Sequence, residues 1–123
     1  MPWELKNDRP IYAQLIEQIE LKICSGVYTP GSRLPSVRDL AREASVNPNT
    51  MQRALAKLEE DGLLYSTRTS GRFVTEDDNM IYQVKSKLAQ EQMRDFLKNM
   101  RQLGFENKEI LSMLKTMLEE VKQ

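Results

Sequence analysis

Amide and arginine side chains cluster at a predicted helix start in the stretch VNPNTMQRALAKLEEDGLL, Val46 to Leu64. Asn47 fits the helix cap and Pro48 the first helical position. At 100° per residue, the helix then has a polar stripe of Asn49, Thr50, Arg53 and Lys57, opposite an apolar face of Met51, Ala54, Leu55 and Leu58. Amides pair with adenine and arginine pairs with guanine in the major groove, so this stripe has the chemistry to read base pairs. An ordinary capped and solvated helix without a partner is the alternative.

A shorter helix is predicted to precede this one. Ser36, with Asp39 three residues later, predicts a capping box, and the helix is expected to end near Ala44. Ser45 to Asn47 are too few for anything but a tight turn. Two short helices joined by a three-residue turn, the second with polar side chains at its start, are typical of a helix-turn-helix.

The segment before this pair contains another helix and a connector. The helix is predicted to begin after Pro10 and to stop at Gly26, with apolar residues at four-residue spacing: Ile11, Leu15, Ile19 and Ile23. The connector GVYTPGSRLPS is rich in glycine and proline, so it is expected to be turn-rich, with a short extended piece around Arg33 and Leu34.

A β-hairpin is predicted directly after Gly62, in the stretch LLYSTRTSGRFVTE. Its strands are expected at Leu63 to Ser66 and Arg72 to Val74. A hairpin that directly follows the second, base-reading helix of a helix-turn-helix is called a wing. Thr67 to Gly71 form its tip. Gly71 has no side chain, so the backbone there can approach a phosphate closely. An ordinary glycine in a hairpin turn is the alternative.

Other kinds of chemistry are poorly represented in this chain of 123 residues. It has no histidine, which removes the commonest metal ligand and general base. Cys24 is its one cysteine, so an internal disulfide framework and a cysteine-only zinc site are excluded. We therefore expect no metal, no cofactor and no enzymatic activity.

The formal net charge is zero, which by itself argues weakly against a nucleic-acid partner. The charges are unevenly distributed, however. The segment from Arg33 to Lys57 contains five basic residues and two acidic ones, and the acidic Glu59, Glu60 and Asp61 follow it. This profile is typical of a protein with one basic face, although solvated helix faces give similar runs.

The sequence gives no indication of a membrane-spanning segment. Its longest uncharged apolar run is far shorter than the roughly 18 residues that a span needs. The polar start MPWELKNDRP does not resemble a signal peptide. We expect a cytoplasmic protein with no membrane partner.

The chain resembles, over about Asp8 to Val74, the winged helix-turn-helix domain of the GntR family of bacterial transcription regulators. The resemblance is carried by the runs YTPGSRLPSVRDLA, VNPNTMQRAL and LEEDGLLYSTRTSGRFV. It implies a dimer that binds operator DNA. Position by position, it implies DNA contacts from Arg38, Asn47, Pro48, Asn49, Thr50, Gln52, Arg53, Ser70, Gly71 and Arg72. Arg38 matches the arginine that anchors the DNA backbone in the family.

The C-terminal part departs from the wider family, because many members carry a large effector-binding or aminotransferase-like domain and only about fifty residues follow Val74 here. Two helices are predicted, from about Met80 to Leu103 and from beyond Gly104 to about Lys122. Such a tail is similar to the YtrA subfamily, whose tails mediate dimerisation and whose genes often accompany transporter genes. The dimer contacts are expected from Val84, Leu88, Phe96, Leu97, Met100, Leu103, Ile110, Leu114, Met117 and Leu118.

The sequence thus predicts a mainly α protein with a small β wing, of α+β class. Residues 1–75 are expected to form the winged helix-turn-helix domain and residues 76–123 the helical dimerisation tail. The expected function is a sequence-specific transcription regulator, a repressor, that binds an inverted-repeat operator in double-stranded DNA as a homodimer. A winged-helix protein-interaction module is the alternative, and it predicts no salt-dependent affinity for duplex DNA. Five of the seven methionines lie in the tail. We expect them to pack in the core and at the dimer interface, and the alternative is that they line a hydrophobic effector site.

Overall fold

The computed structural model describes residues 3–121 of the chain. In this range the predicted architecture is confirmed: helices dominate, and a small hairpin lies between the third helix and the fourth. The elements in chain order are α1 (Ile11–Cys24), α2 (Val37–Ala44), α3 (Pro48–Glu60), β1 (Leu64–Thr67), β2 (Gly71–Val74), α4 (Asp78–Gln102) and α5 (Asn107–Val121).

The first three helices enclose the hydrophobic core. The four-residue spacing in α1 buries Leu15, Ile19 and Ile23, and α3 packs beside it. The α3 face predicted as apolar is fully buried: Met51, Ala54, Leu55 and Leu58. Because this face is fixed in the core, the rotation of α3 about its axis is fixed too, and its polar stripe is turned outward.

Local side-chain caps set the ends of α2 and α3. The hydroxyl of Ser36 accepts a hydrogen bond from the Asp39 amide at 3.1 Å, which is one half of the predicted capping box. The Asp39 carboxylate lies instead 3.5 Å from the Arg42 guanidinium. Asn47 caps α3 as predicted, since its side-chain oxygen accepts from the Asn49 amide at 2.8 Å. Between the helices, Ser45 adopts the left-handed conformation, with φ of 57°.

The hairpin pairs β1 and β2 antiparallel, from Leu64 opposite Val74 to Thr67 opposite Gly71. The extended piece predicted around Arg33 and Leu34 is confirmed, because Arg33 forms a β-bridge with Phe73 on the other side of β2. The Leu34 amide also donates to the Arg72 carbonyl at 2.9 Å. The wing is therefore anchored to the chain segment that leads into α2.

The start of α4 belongs to the same packing unit as the winged helix. Asp77 caps this helix by accepting from the amides of Asn79 and Met80 at 3.1 and 3.2 Å. Met80, Ile81 and Val84 are half-buried against the core cluster. Contacts divide the chain into two compact units, Met1–Ser86 and Lys87–Gln123.

The second unit contains the rest of α4 and α5, joined at Gly104, which has a φ of +95°. Beyond the turn, the Glu109 carboxylate accepts from the Glu106 amide at 3.0 Å. Ile110 is buried, with 5% of its surface exposed. The helix end predicted near Lys122 lies outside the described residues. None of the helices within residues 3–121 is long and apolar enough to cross a membrane.

Candidate nucleic-acid interface

The first turns of α3 present most of the predicted contact residues to solvent. Asn47, Pro48, Asn49, Gln52 and Arg53 are exposed. Thr50, also in the predicted set, is half-buried. Because each of these residues lies on or beside a helix whose opposite face is buried, their directions are set by the core and not by solvent-exposed loops.

Arg53 has a partner that the sequence did not indicate. Its guanidinium carbon lies 4.1 Å from the centre of the Tyr12 ring, a cation–π distance. Tyr12 is near the start of α1, 41 positions earlier in the chain. The contact arises because α1 and α3 pack together, and it restricts the directions that Arg53 can take.

The wing is tied to α3 by a polar cluster of Gln52, Glu59, Ser66 and Arg72, which we call the wing cluster. The Nε of Arg72 donates to the Glu59 carboxylate at 3.3 Å, and its Nη1 donates to the Gln52 amide oxygen at 3.2 Å. The Ser66 hydroxyl donates to the same oxygen of Glu59. Sequence reasoning named Gln52 and Arg72 but missed Glu59 and Ser66, since only the packing of the hairpin against α3 brings these two together.

The wing tip is shaped by hydrogen bonding and by glycine. The Ser70 amide donates to the Thr67 hydroxyl at 3.1 Å, which closes the turn. Gly71 has a φ of +100°, and a Cβ built on it would lie 3.1 Å from the Nε of Arg33. Arg33, which sequence reasoning did not single out, therefore crosses the backbone at Gly71. The only feature of the sequence that pointed to Arg33 was its place in the basic segment from Arg33 to Lys57.

The two arginines of α2 differ in their surroundings. Arg38 and Arg42 are both exposed. Arg42 lies 3.5 Å from the Asp39 carboxylate. Arg38, the predicted backbone anchor, is one turn closer to the N-terminus of α2, the end at which a helix favours phosphate. Lys57, at the far end of the α3 stripe, pairs with Asp61 at 3.4 Å, as expected of a solvated helix face.

The remaining chemically distinctive residues of the first unit lie outside this surface. Trp3 packs against the core, with the Lys22 ammonium 4.7 Å from its ring centre. Burial raises the pKa of the Cys24 thiol, and the Glu20 carboxylate raises it further. A raised pKa keeps the thiol protonated and unreactive, which argues against redox sensing.

The residues predicted to form the dimer contacts differ in their burial. Val84 packs on the core of the first unit. In the second unit, Ile110 is buried, and Leu88, Leu97, Met100 and Leu114 are half-buried. The others are exposed: Phe96, Leu103, Met117 and Leu118.

Comparison with known sequences identifies the family of this chain. The pattern of the gntR family, described as bacterial regulatory proteins, matches residues 11–74. The chain belongs to the gntR family. The match runs from the start of α1 to the end of β2, so it includes every position at which DNA contacts are predicted.

Two relatives from Bacillus subtilis (strain 168) match the chain beyond this GntR domain. The transcriptional regulator YhcF is 35% identical over 116 residues, which are 94% of this chain and 96% of YhcF. The transcriptional repressor YtrA is 30% identical over 118 residues, which are 95% of this chain and 91% of YtrA. The predicted likeness to YtrA therefore extends through the C-terminal helices.

Solved structures of transcription regulators agree with the fold. A GntR family transcriptional regulator from Listeria monocytogenes superimposes with a TM-score of 0.82 and 37% identity, covering 91% of this chain and 98% of that one. The DNA-binding domain of AraR, in complex with operator ORX1, superimposes with a TM-score of 0.55 and 29% identity, covering 61% of this chain and 99% of AraR's. The predictions of a DNA-binding transcription regulator and of a non-enzymatic protein are thereby confirmed.

Proposed function

We propose that this GntR protein acts in the cytoplasm as a homodimer that binds an inverted-repeat operator and represses transcription. The observation that carries the proposal is the exposed polar start of α3 beside the wing, on a helix whose other face is buried. The relative YtrA is a transcriptional repressor, and this likeness favours repression. The association of YtrA-type genes with transporter genes makes transporter genes the proposed targets.

Base reading is assigned to the start of α3 and anchoring to the residues around it. Asn49 and Gln52 carry amides that can pair with base edges, and Arg53 carries a guanidinium that can pair with guanine. Arg38 on α2 is proposed to bind a phosphate. The remaining members of the proposed surface are Asn47, Pro48 and Thr50 at the helix start and Ser70 and Gly71 at the wing. Arg72 is proposed to act through Gln52, to which it donates a hydrogen bond.

The dimer is supported by the exposed apolar side chains of the second unit. Leu103 and Leu118 have 68% and 67% of their surface exposed, and Met117 has 57%. A two-helix unit cannot bury both of its apolar stripes within itself, whereas two copies can combine them into a bundle-like interface. A two-fold axis then places two α3 helices about 34 to 36 Å apart, near one helical turn of DNA.

The test is selection of duplexes from a random pool by the full-length chain, combined with sedimentation of the protein and of its complex. We expect an inverted repeat and a dimer in both states. The selected operator is then placed over a promoter, and added protein should reduce transcription in vitro. A monomer that binds a single half-site tightly contradicts the dimer. Failure to enrich any sequence, with no salt-dependent affinity for duplex DNA, would instead support a protein-docking function.

A further inference from the structure

Arg72 is withdrawn from solvent although it lies on the wing of a DNA-binding domain. Its side chain is 18% exposed, and its Nε lies 3.3 Å from the Glu59 carboxylate, which is 36% exposed. Ser66 donates to the same carboxylate oxygen. Glu59 is thus the centre of the wing cluster and joins the end of α3 to both strands.

The chemistry of the guanidinium fixes the direction of the Gln52 amide. Arginine has only donors, so the group facing its Nη1 at 3.2 Å must be the amide oxygen of Gln52. The NH2 group of the amide is then the end left for another partner. In the major groove such a donor meets acceptors: N7 of a purine, O6 of guanine or O4 of thymine.

We propose that Glu59 is a positioning residue for sequence recognition, because it holds Arg72 against Gln52 and away from the DNA phosphates. The proposal rests on the proposed operator binding. Held in this way, Arg72 orients the amide of a base-reading residue and adds no non-specific affinity for the DNA backbone. Glu59 therefore acts on specificity through Arg72, without touching DNA itself.

Removal of the carboxylate should have two separate effects. Without its ion pair, Arg72 is free to extend from the wing and bind a phosphate, which releases about one more counterion and steepens the salt dependence of binding. At the same time the Gln52 amide loses its fixed orientation, so the preference for an acceptor at one position of each half-site weakens. A gain in non-specific affinity and a loss in specificity should thus occur together.

The experiment compares the full-length chain with Glu59→Ala and Glu60→Ala. Selection from a random pool gives the base preferences, and titrations at several salt concentrations give the slope of log K against log salt on the operator and on an unrelated duplex. For Glu59→Ala we expect a salt slope steeper by about one unit. The ratio of the affinity for the operator to the affinity for the unrelated duplex should be roughly tenfold lower. Glu60→Ala removes the same charge from the next position, where the side chain faces Lys57, and should change neither the preference nor the ratio.

The variant Arg72→Ala tests the alternative that Arg72 itself binds a DNA phosphate. It should weaken the preference at the same base position, without steepening the salt slope. In the double variant Glu59→Ala/Arg72→Ala the steeper slope should disappear. An unchanged selected sequence and slope in Glu59→Ala would overturn the proposal, as would a slope flattened by about one unit in Arg72→Ala.

Failure of the proposed function gives a different result. In that case the unaltered protein itself selects no sequence, before any variant is compared. Thermal unfolding of each variant is measured in parallel. If Glu59→Ala does not fold, Arg72→Ala alone decides the proposal, through its base preference and its slope.

Discussion

At the scale of single residues, Gln14 holds the N-terminal segment on the domain. It is buried in α1, with 1% of its surface exposed. Its amide oxygen accepts from the Lys6 amide at 2.6 Å, and its nitrogen donates to the carbonyls of Lys6 and Arg9 at 2.7 and 2.9 Å. A buried amide is tolerated here because each of its polar atoms has a backbone partner.

We expect Gln14→Leu to destabilise the domain by about 1 to 3 kcal/mol, because three backbone groups lose their partner while the side-chain volume is nearly kept. Urea or thermal unfolding measures the loss. Gln18→Leu is the matched control, since Gln18 lies one turn later on α1 and is half-buried. Equal losses in the two variants would contradict the assigned role of the amide.

Gly71 is expected to be needed both for the backbone conformation of the wing and for DNA binding. With φ at +100° and Arg33 beside it, Gly71→Ala should cost about 1 to 3 kcal/mol of stability and should also weaken operator binding. Gly26→Ala is the control for conformational strain alone, because Gly26 has a φ of +88° and open space around it. It should lose stability but bind the operator normally; normal binding by Gly71→Ala would show that the wing tip does not contact DNA.

At the scale of elements, α2 and α3 are expected to divide anchoring from reading. We expect Arg38→Ala to weaken binding to all sequences alike and to flatten the salt slope by about one unit, because it removes one phosphate contact. Arg42→Ala is the matched control on the same helix, since its guanidinium is already near Asp39. Titrations on the operator and on an unrelated duplex at several salt concentrations provide the measurement.

Changes at the start of α3 should instead affect which bases are preferred. Asn49→Ala should alter the selected bases, at about 1 to 3 kcal/mol for a lost bidentate contact. If Arg38→Ala changed the preferred bases and Asn49→Ala left them unchanged, the roles given to the two helices would be reversed.

At the scale of the whole molecule, the start of α4 packs with the winged helix although it leads into the tail. Met80, Ile81 and Val84 cover part of the core, and Asp77 caps the helix that carries them. The first compact unit accordingly extends to Ser86. The division into residues 1–75 and 76–123 remains a prediction, and two truncations can test it.

We expect a chain ending at Ser86 to fold as a monomer, and to bind the operator roughly 100-fold more weakly than the dimer, because the second half-site is no longer held nearby. A chain ending at Thr75 should be less stable by about 3 kcal/mol, since it lacks three apolar side chains that pack on the core. Sedimentation, thermal unfolding and operator titration distinguish the two chains. A chain ending at Ser86 that remains a dimer would contradict the role of the tail.

The sequence by itself determined the order of the elements and the starts of the first three helices. The strands, at Leu64–Thr67 and Gly71–Val74, differ by one residue from their predicted bounds, and α4 begins at Asp78, before the predicted Met80. Pro10, Ser36 and Asn47 mark helix starts through interactions within a few residues, and apolar spacing marks the buried faces. The polar start of α3 and the wing were predictable for the same reason. Their order along the chain was also enough to identify the GntR resemblance.

Only the tertiary structure decided which of these polar side chains already have partners within the fold. Arg53 meets Tyr12, and Arg72 meets Glu59, because helix packing and strand pairing join residues far apart in the chain. In the same way, Val84 belongs to an apolar stripe by spacing, yet it packs on the first unit. Periodicity gives the face of a helix on which a residue lies, but the neighbour that covers that face depends on how the whole chain folds.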